Sequence, residues 1–124
     1  MSTERDQLYF DLFVTALEGG IQYWASVLAY RWRLPRVEGA DPAAERGEDL
    51  NGFRAIVVDA DDSGDRHTID RAVIARGFNL AKARDGEVGK RFRTADRDPE
   101  DSDFDADDAD LVVQLGLFGE VVYG

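Results

Sequence analysis

The chain has 124 residues, no cysteine, and 26 acidic against 15 basic residues, giving a formal net charge of -11. This length fits one domain spanning residues 1–124, and an apolar fraction of 44% suffices for a folded core. The missing cysteines exclude disulfides and thiolate metal sites, and the negative charge disfavours nucleic acids and anionic membranes as direct partners. The negative charge is compatible with a partner that has a basic surface, with a bound cation, or with a role in solubility alone.

Two features predict an intracellular protein. No apolar run approaches the roughly 20 residues that cross a bilayer. The first residues, Met-Ser-Thr-Glu-Arg-Asp, lack the basic and apolar regions of a secretion signal. We therefore expect a cytoplasmic protein, and the lack of cysteine fits a reducing compartment.

The first predicted element is a helix from Glu4 to Trp24. Apolar residues and glycine recur at spacings of three and four on one face. This stripe consists of Tyr9, Phe13, Ala16, Leu17, Gly20 and Trp24. The pair Gly19-Gly20 costs a helix about 2 kcal/mol relative to alanine. Either the helix ends at this pair, or another backbone approaches it closely.

Two strands are predicted next. Residues 26–33 alternate, with Leu28, Tyr30 and Trp32 on one face, although continuation of the helix through Val27 and Leu28 is the competing interpretation. Residues 34–52 are punctuated by proline and glycine and predict a long loop. The β-branched run at 53–59 predicts a buried strand that pairs with the first.

The second half predicts two more helices. An acidic turn over 60–67 leads to a helix from Thr68, its cap, to about Arg84. Residues 85–103 predict a second long loop, and Asp103 or Asp105 caps a final helix. Residues 121–123 could continue this helix or form a short edge strand. The fold class is therefore α+β, with about three helices and a small two- or three-stranded sheet.

Residues 59–70 have the spacing of a calcium-binding loop. Oxygen-bearing residues stand at the ligand positions, with glycine at the sixth. The candidate metal ligands are Asp59, Asp61, Ser63, Asp65 and Asp70. A preceding strand, aspartate in place of glutamate at the last position, and Arg66 at the eighth count against this site. The alternative is an Asx-rich turn, so we expect no cofactor, with Ca²⁺ or Mg²⁺ as the only candidate.

A second candidate site is the glycine–aromatic segment at 18–24. Paired glycines expose backbone amides, and the aromatic rings offer a stacking surface for a ligand or a partner side chain. The candidate ligand-binding residues are Glu18, Gly19, Gly20, Tyr23 and Trp24. The alternative is structural, with the glycines allowing close packing and both aromatic residues in the core. Walker and Rossmann glycine spacings are absent.

Catalytic signatures are weak. His67 is the only histidine, and none of its possible nucleophiles, Ser26, Ser63 and Ser102, stands in a Gly-x-Ser-x-Gly elbow. One histidine without cysteine cannot build the usual zinc site. We therefore expect a protein that is not an enzyme.

Nine of the fifteen residues from Asp96 to Asp110 are acidic. Such a run is ordinarily a solvated loop and helix start. The functional alternative is mimicry of a phosphate backbone, in which ordered carboxylates occupy a basic site on another protein.

Two segments resemble small uncharacterised proteins of phages that infect actinobacteria. These are Glu18-Gly19-Gly20-x-x-Tyr23-Trp24 and the C-terminal stretch from Asp107 to Gly124, which ends Leu-Phe-Gly-Glu-Val-Val-Tyr-Gly. The central strand and the Thr-Ile-Asp-Arg helix start are also similar, so the resemblance covers about half the chain. It implies a phage origin, expression in the bacterial host cytoplasm and an accessory role. It assigns no catalytic residue.

The preferred hypothesis is a non-enzymatic accessory protein that binds a host protein with a basic surface or a small metabolite, with a homo-oligomer able to close a ligand pocket. One alternative is a divalent-metal-binding protein or metal-dependent enzyme that uses the 59–70 loop. Another is a structural component of the virion.

Overall fold

The computed structural model describes residues 3–60 and 64–124, without the side chains of Thr3 and Asp101. In chain order its elements are α1 (Thr3–Thr15), a π-helical turn (Ala16–Gly20), β1 (Ala25–Arg31), β2 (Arg54–Asp59), β3 (Arg66–Asp70), α2 (Arg71–Lys82), α3 (Gly86–Arg97), a 3-10 turn (Pro99–Asp101) and α4 (Ala106–Phe118). Within the described residues the fold is α+β, as expected, but it has four α-helices rather than about three.

The first helix presents the face that its sequence predicts. All six positions of the predicted stripe are buried. The helix widens at its end, where the Ile21 amide donates to the Ala16 carbonyl five residues earlier. The chain leaves helical structure at Gly20, and β1 begins five residues later, at Ala25. Continuation of the helix through Val27 and Leu28 is therefore wrong.

The sheet is antiparallel, with the strand order β1-β2-β3. Its buried face carries Ala55 and Val57 on β2 and Ile69 on β3. A bulge between Val27 and Ala29 shifts the pairing of β1 with β2. Beyond β1 the pairing continues as an isolated bridge at Arg33. The predicted pairing of the first two strands is confirmed.

The third strand corrects the predicted start of the second helix. Thr68 lies within β3 and is not a cap. The cap is Asp70, whose carboxylate accepts a hydrogen bond from the Val73 amide at 3.0 Å. The sequence does not predict this strand because only Ile69 is buried in it. One buried residue produces no alternation of apolar and polar residues.

The predicted loop over 85–103 is wrong, because α3 occupies Gly86–Arg97. Its buried residues are Gly89, Phe92 and Ala95, a stripe too short to outweigh two glycines in the sequence. Gly89 is required by packing, since a Cβ there would lie 1.7 Å from the Arg84 carbonyl oxygen. By contrast, 34–52 holds only turns and isolated bridges.

Of the two predicted caps, Asp103 and Asp105, the last helix begins at Asp105, whose carboxylate accepts from the Asp108 amide at 2.9 Å. It ends at Gly119, which adopts a left-handed conformation with a φ of 76°. The residues after it form neither of the two predicted alternatives, a longer helix or an edge strand. They run back along α4 as an irregular tail.

The backbones of helices α2 and α4 approach each other closely at two glycines. A Cβ on Gly77 of α2 would lie 1.8 Å from the Val112 carbonyl oxygen of α4. Reciprocally, a Cβ on Gly116 of α4 would lie 2.1 Å from the Val73 carbonyl oxygen of α2. Glycine at both positions therefore sets the distance between the two helices.

Gly77→Ala should lower the free energy of unfolding by about 3 kcal/mol or more, because the helices must separate to admit a methyl group. Gly19→Ala is the matched control. Its Cβ would meet nothing closer than Ala106 at 4.0 Å, so stability should stay unchanged or rise by up to about 1 kcal/mol. Urea denaturation measures both, and equal effects would contradict the packing argument.

Candidate functional site

The glycine pair at the end of the first helix has two different environments. Gly20 is buried, and a Cβ there would lie 2.8 Å from the Ala106 carbonyl oxygen at the start of α4. Gly19 is exposed and has room for a side chain, and Glu18 is also exposed. Both explanations given for the pair thus hold, since the helix ends here and another backbone approaches Gly20.

Trp24 is a core residue. It is 2% exposed, and its ring is stacked on that of Tyr123, with centroids 4.7 Å apart and an interplanar angle of 6°. Its indole N–H donates to Asp110 Oδ1 at 2.8 Å. The structural interpretation of Trp24 is therefore confirmed, and the indole offers no face to a ligand.

Tyr23 has the opposite orientation. It is 57% exposed, but its hydroxyl end turns toward α4 and donates to Asp110 Oδ2 at 2.5 Å. Burial of this end, together with the hydrogen bond to Asp110 and the charge of that carboxylate, raises the pKa of Tyr23 to about 12. The phenol is thus held neutral while its ring faces solvent.

Gln114 completes this polar cluster. It is 1% exposed, and its Nε2 lies 3.0 Å and 3.1 Å from the two carboxylate oxygens of Asp110. Its Oε1 accepts from the backbone amides of Val122 and Tyr123, each at 2.8 Å. The cluster therefore joins the residues before β1, the middle of α4 and the C-terminal tail.

Sequence reasoning missed Asp110 and Gln114. A signal was present, because the two polar residues stand four apart in a run that is otherwise apolar, and side chains at that spacing share one face of a helix. Of the predicted ligand-binding residues, the structure leaves Glu18, Gly19 and Tyr23 at the surface.

The predicted calcium loop does not converge. Asp59 ends β2, whereas Asp70 pairs with Arg54 at the other end of that strand, about 17 Å away at about 3.4 Å per residue. Asp70 also caps α2. Asp61 and Ser63 lie outside the described residues, and among the described ones no group of three or more potential ligands is close enough to hold a metal ion.

His67 is not placed for nucleophilic catalysis with the described serines. Its Nε2 lies 3.1 Å from Asp59 Oδ1, and its ring meets the edge of Phe118. Ser26 pairs with Val58, whereas His67 pairs with the preceding residue of β2, so the two point to opposite faces of the sheet. The Ser102 hydroxyl donates to the Pro99 carbonyl.

Several carboxylates of the acidic run form ion pairs or hydrogen bonds within the fold. Asp96 forms ion pairs with Arg5 at 2.8 Å and Lys82 at 3.1 Å. Burial opposes its ionisation, but hydrogen bonds and charges from these two residues outweigh that effect and lower the pKa of Asp96. Asp108 pairs with Arg91. With Asp105 as a cap and Asp110 buried, four of the nine acidic residues have roles within the fold, and Asp98, Glu100, Asp103 and Asp107 are exposed.

Large exposed apolar side chains recur along β1 and the residues that follow it. Leu28, Tyr30, Leu34 and Val37 are 50%, 59%, 46% and 73% exposed. This set, named here the β1 edge surface, lies on β1, which is one of the two edge strands of the sheet, and on the residues that follow it. Two of its members, Leu34 and Val37, also line a cavity of about 300 Å³ formed by the 34–47 segment.

These features define an α+β protein with an open sheet edge and a polar cluster beside it. No family model, curated protein or solved structure matches the chain. Within residues 3–60 and 64–124, none of the helices has the length and apolar character to cross a membrane.

Tyrosine absorbance should show one phenol with a pKa of about 12. Because this pKa exceeds the unfolded value of about 10, the stability contributed by neutral Tyr23 is present below about pH 10 and is lost as the pH rises towards 12. Asp110→Asn should lower the pKa of Tyr23, because it removes the carboxylate charge. Tyr23→Phe should abolish the absorbance change that titrates at about 12. An unchanged titration in Asp110→Asn would contradict the assignment.

Asp70→Ala should lower the free energy of unfolding by about 1 kcal/mol through loss of the α2 cap. The loss should be the same with and without millimolar Ca²⁺, because Asp70 is remote from Asp59. Thermal denaturation in both conditions measures this. A larger loss of stability in the presence of Ca²⁺ would contradict this expectation and would support cation binding by residues 59–70.

Proposed function

We propose that this chain is a phage-type accessory protein that acts in the bacterial cytoplasm by binding a partner protein, without catalysis. The observation that carries the proposal is the β1 edge surface. Scattered exposed apolar residues are ordinary, but contiguous ones in a folded protein are typical of an interaction site. Here four large apolar side chains fall within ten residues of one strand and its extension.

The two segments that carry the resemblance to phage proteins are far apart in sequence but lie against each other in the fold. They meet at Asp110, which accepts hydrogen bonds from Tyr23 and Trp24. The same cluster fixes the residues that lead into β1, so it supports the edge surface rather than forming a reactive site.

A host protein fits this surface better than a small metabolite. The metabolite hypothesis needs Trp24 to line a pocket, whereas its ring is stacked on Tyr123 inside the core. The β1 edge surface instead offers an exposed strand with Tyr30, and tyrosine is enriched at the centres of protein interfaces.

Affinity capture from bacterial host lysate tests the proposal. Immobilised wild-type protein should retain a partner, and the double variant Leu28→Ser/Tyr30→Ser should lose at least about nine-tenths of it, because buried aromatic anchors dominate interface energy. The matched control is Leu80→Ser, which changes an apolar side chain on α2 that is 38% exposed.

A further variant separates this surface from the acidic run. Replacing Asp98, Asp103 and Asp107 with asparagine should leave capture intact. Capture lost in that variant and kept in Leu28→Ser/Tyr30→Ser would move the function to the acidic surface. Absence of any retained partner would overturn the proposed function itself.

A further inference from the structure

We infer that the partner binds by strand addition, with an acidic extended segment pairing along the free edge of β1. This inference rests on the proposed function and adds the mode of binding and the chemistry of the partner. It reverses the expectation of a basic partner, which came from net charge alone.

The backbone of β1 is available for such pairing. One side of the strand pairs with β2, and this side continues through hydrogen bonds between Leu34 and Gly47 and between Asp49 and Trp32. The opposite side carries no strand in the described part of the chain. An edge strand directs the N–H and C=O groups of alternate residues away from the sheet, which is a template for another strand.

The arginines of β1 and of the residues that follow it favour an acidic partner. Residues 25–37 contain three arginines and no carboxylate, in a chain with a net charge of -11. Arg31 is neutralised by Asp49 at 2.9 Å. Arg33 and Arg36 donate only to backbone carbonyls, and within the described residues neither has a carboxylate partner.

The same arginines argue against two other occupants. A second copy pairing antiparallel through residues 25–37 would offer Arg33 and Arg36 no carboxylate, because that segment contains none. A nucleic acid would meet the apolar side chains of Leu28 and Tyr30 and the negative field of the whole protein. An acidic peptide strand with alternating apolar side chains suits the apolar groups and the arginines.

The test uses a short dye-labelled peptide that alternates glutamate with valine. Its matched partner peptides carry lysine for glutamate, or N-methyl groups that remove alternate backbone donors. The full-length protein is titrated by fluorescence anisotropy, and hydrogen exchange of its amides locates the bound peptide.

The glutamate peptide should bind at least about tenfold more tightly than either partner peptide, a difference of about 1.4 kcal/mol. It should protect alternate amides between Ala25 and Leu34. Binding of the glutamate peptide should be weakened by each of two double variants, Leu28→Ser/Tyr30→Ser and Arg33→Gln/Arg36→Gln. Leu80→Ser should leave it unchanged.

Three results would overturn the inference: equal binding of the lysine peptide, equal binding of the N-methylated peptide, or protection away from β1. A dimer in sedimentation that Leu28→Ser/Tyr30→Ser dissociates would assign the edge to a second copy. If the peptides fail while lysate capture still depends on Leu28 and Tyr30, strand addition fails and the proposed function stands.

Discussion

The fold is organised around a buried carboxylate whose oxygens accept hydrogen bonds from three side chains. Asp110 is 8% exposed, and within the described residues it forms no ion pair with a basic side chain. An indole, a phenol and an amide donate to it, from Trp24, Tyr23 and Gln114. Burying a charge is costly unless its acceptor positions are filled, so the three donors and the carboxylate require one another.

This requirement positions the sheet relative to the helices. Trp24 is held against α4, and its carbonyl accepts from the Ala60 amide, just beyond the end of β2. The strand that follows is thus anchored at its first residue, Ala25. Further along, Leu28 and Tyr30 are exposed. The strand is therefore anchored at its first residue and exposed towards its last.

The sequence predicted the elements whose apolar pattern is long. The stripe of the first helix, the buried strand at 53–59 and the last helix with its Asp105 cap all appear in the structure. The elements it missed, β3 and α3, bury few residues, and their identity comes from tertiary packing. Around Gly89, glycine serves close approach rather than a turn. Asp110 escaped because an acidic run hides a residue whose partners lie more than eighty positions away.

The only two tryptophans of the chain flank β1. Trp24 precedes the strand inside the core, and Trp32 follows it, half-buried, with its ring 4.7 Å from that of Tyr30. An occupant of the edge would change the surroundings of Trp32 and leave those of Trp24 nearly constant. Trp32 can therefore serve as a fluorescent probe of the edge, with Trp24 as the internal reference. Tryptophan fluorescence can thus report occupancy of the edge without a label.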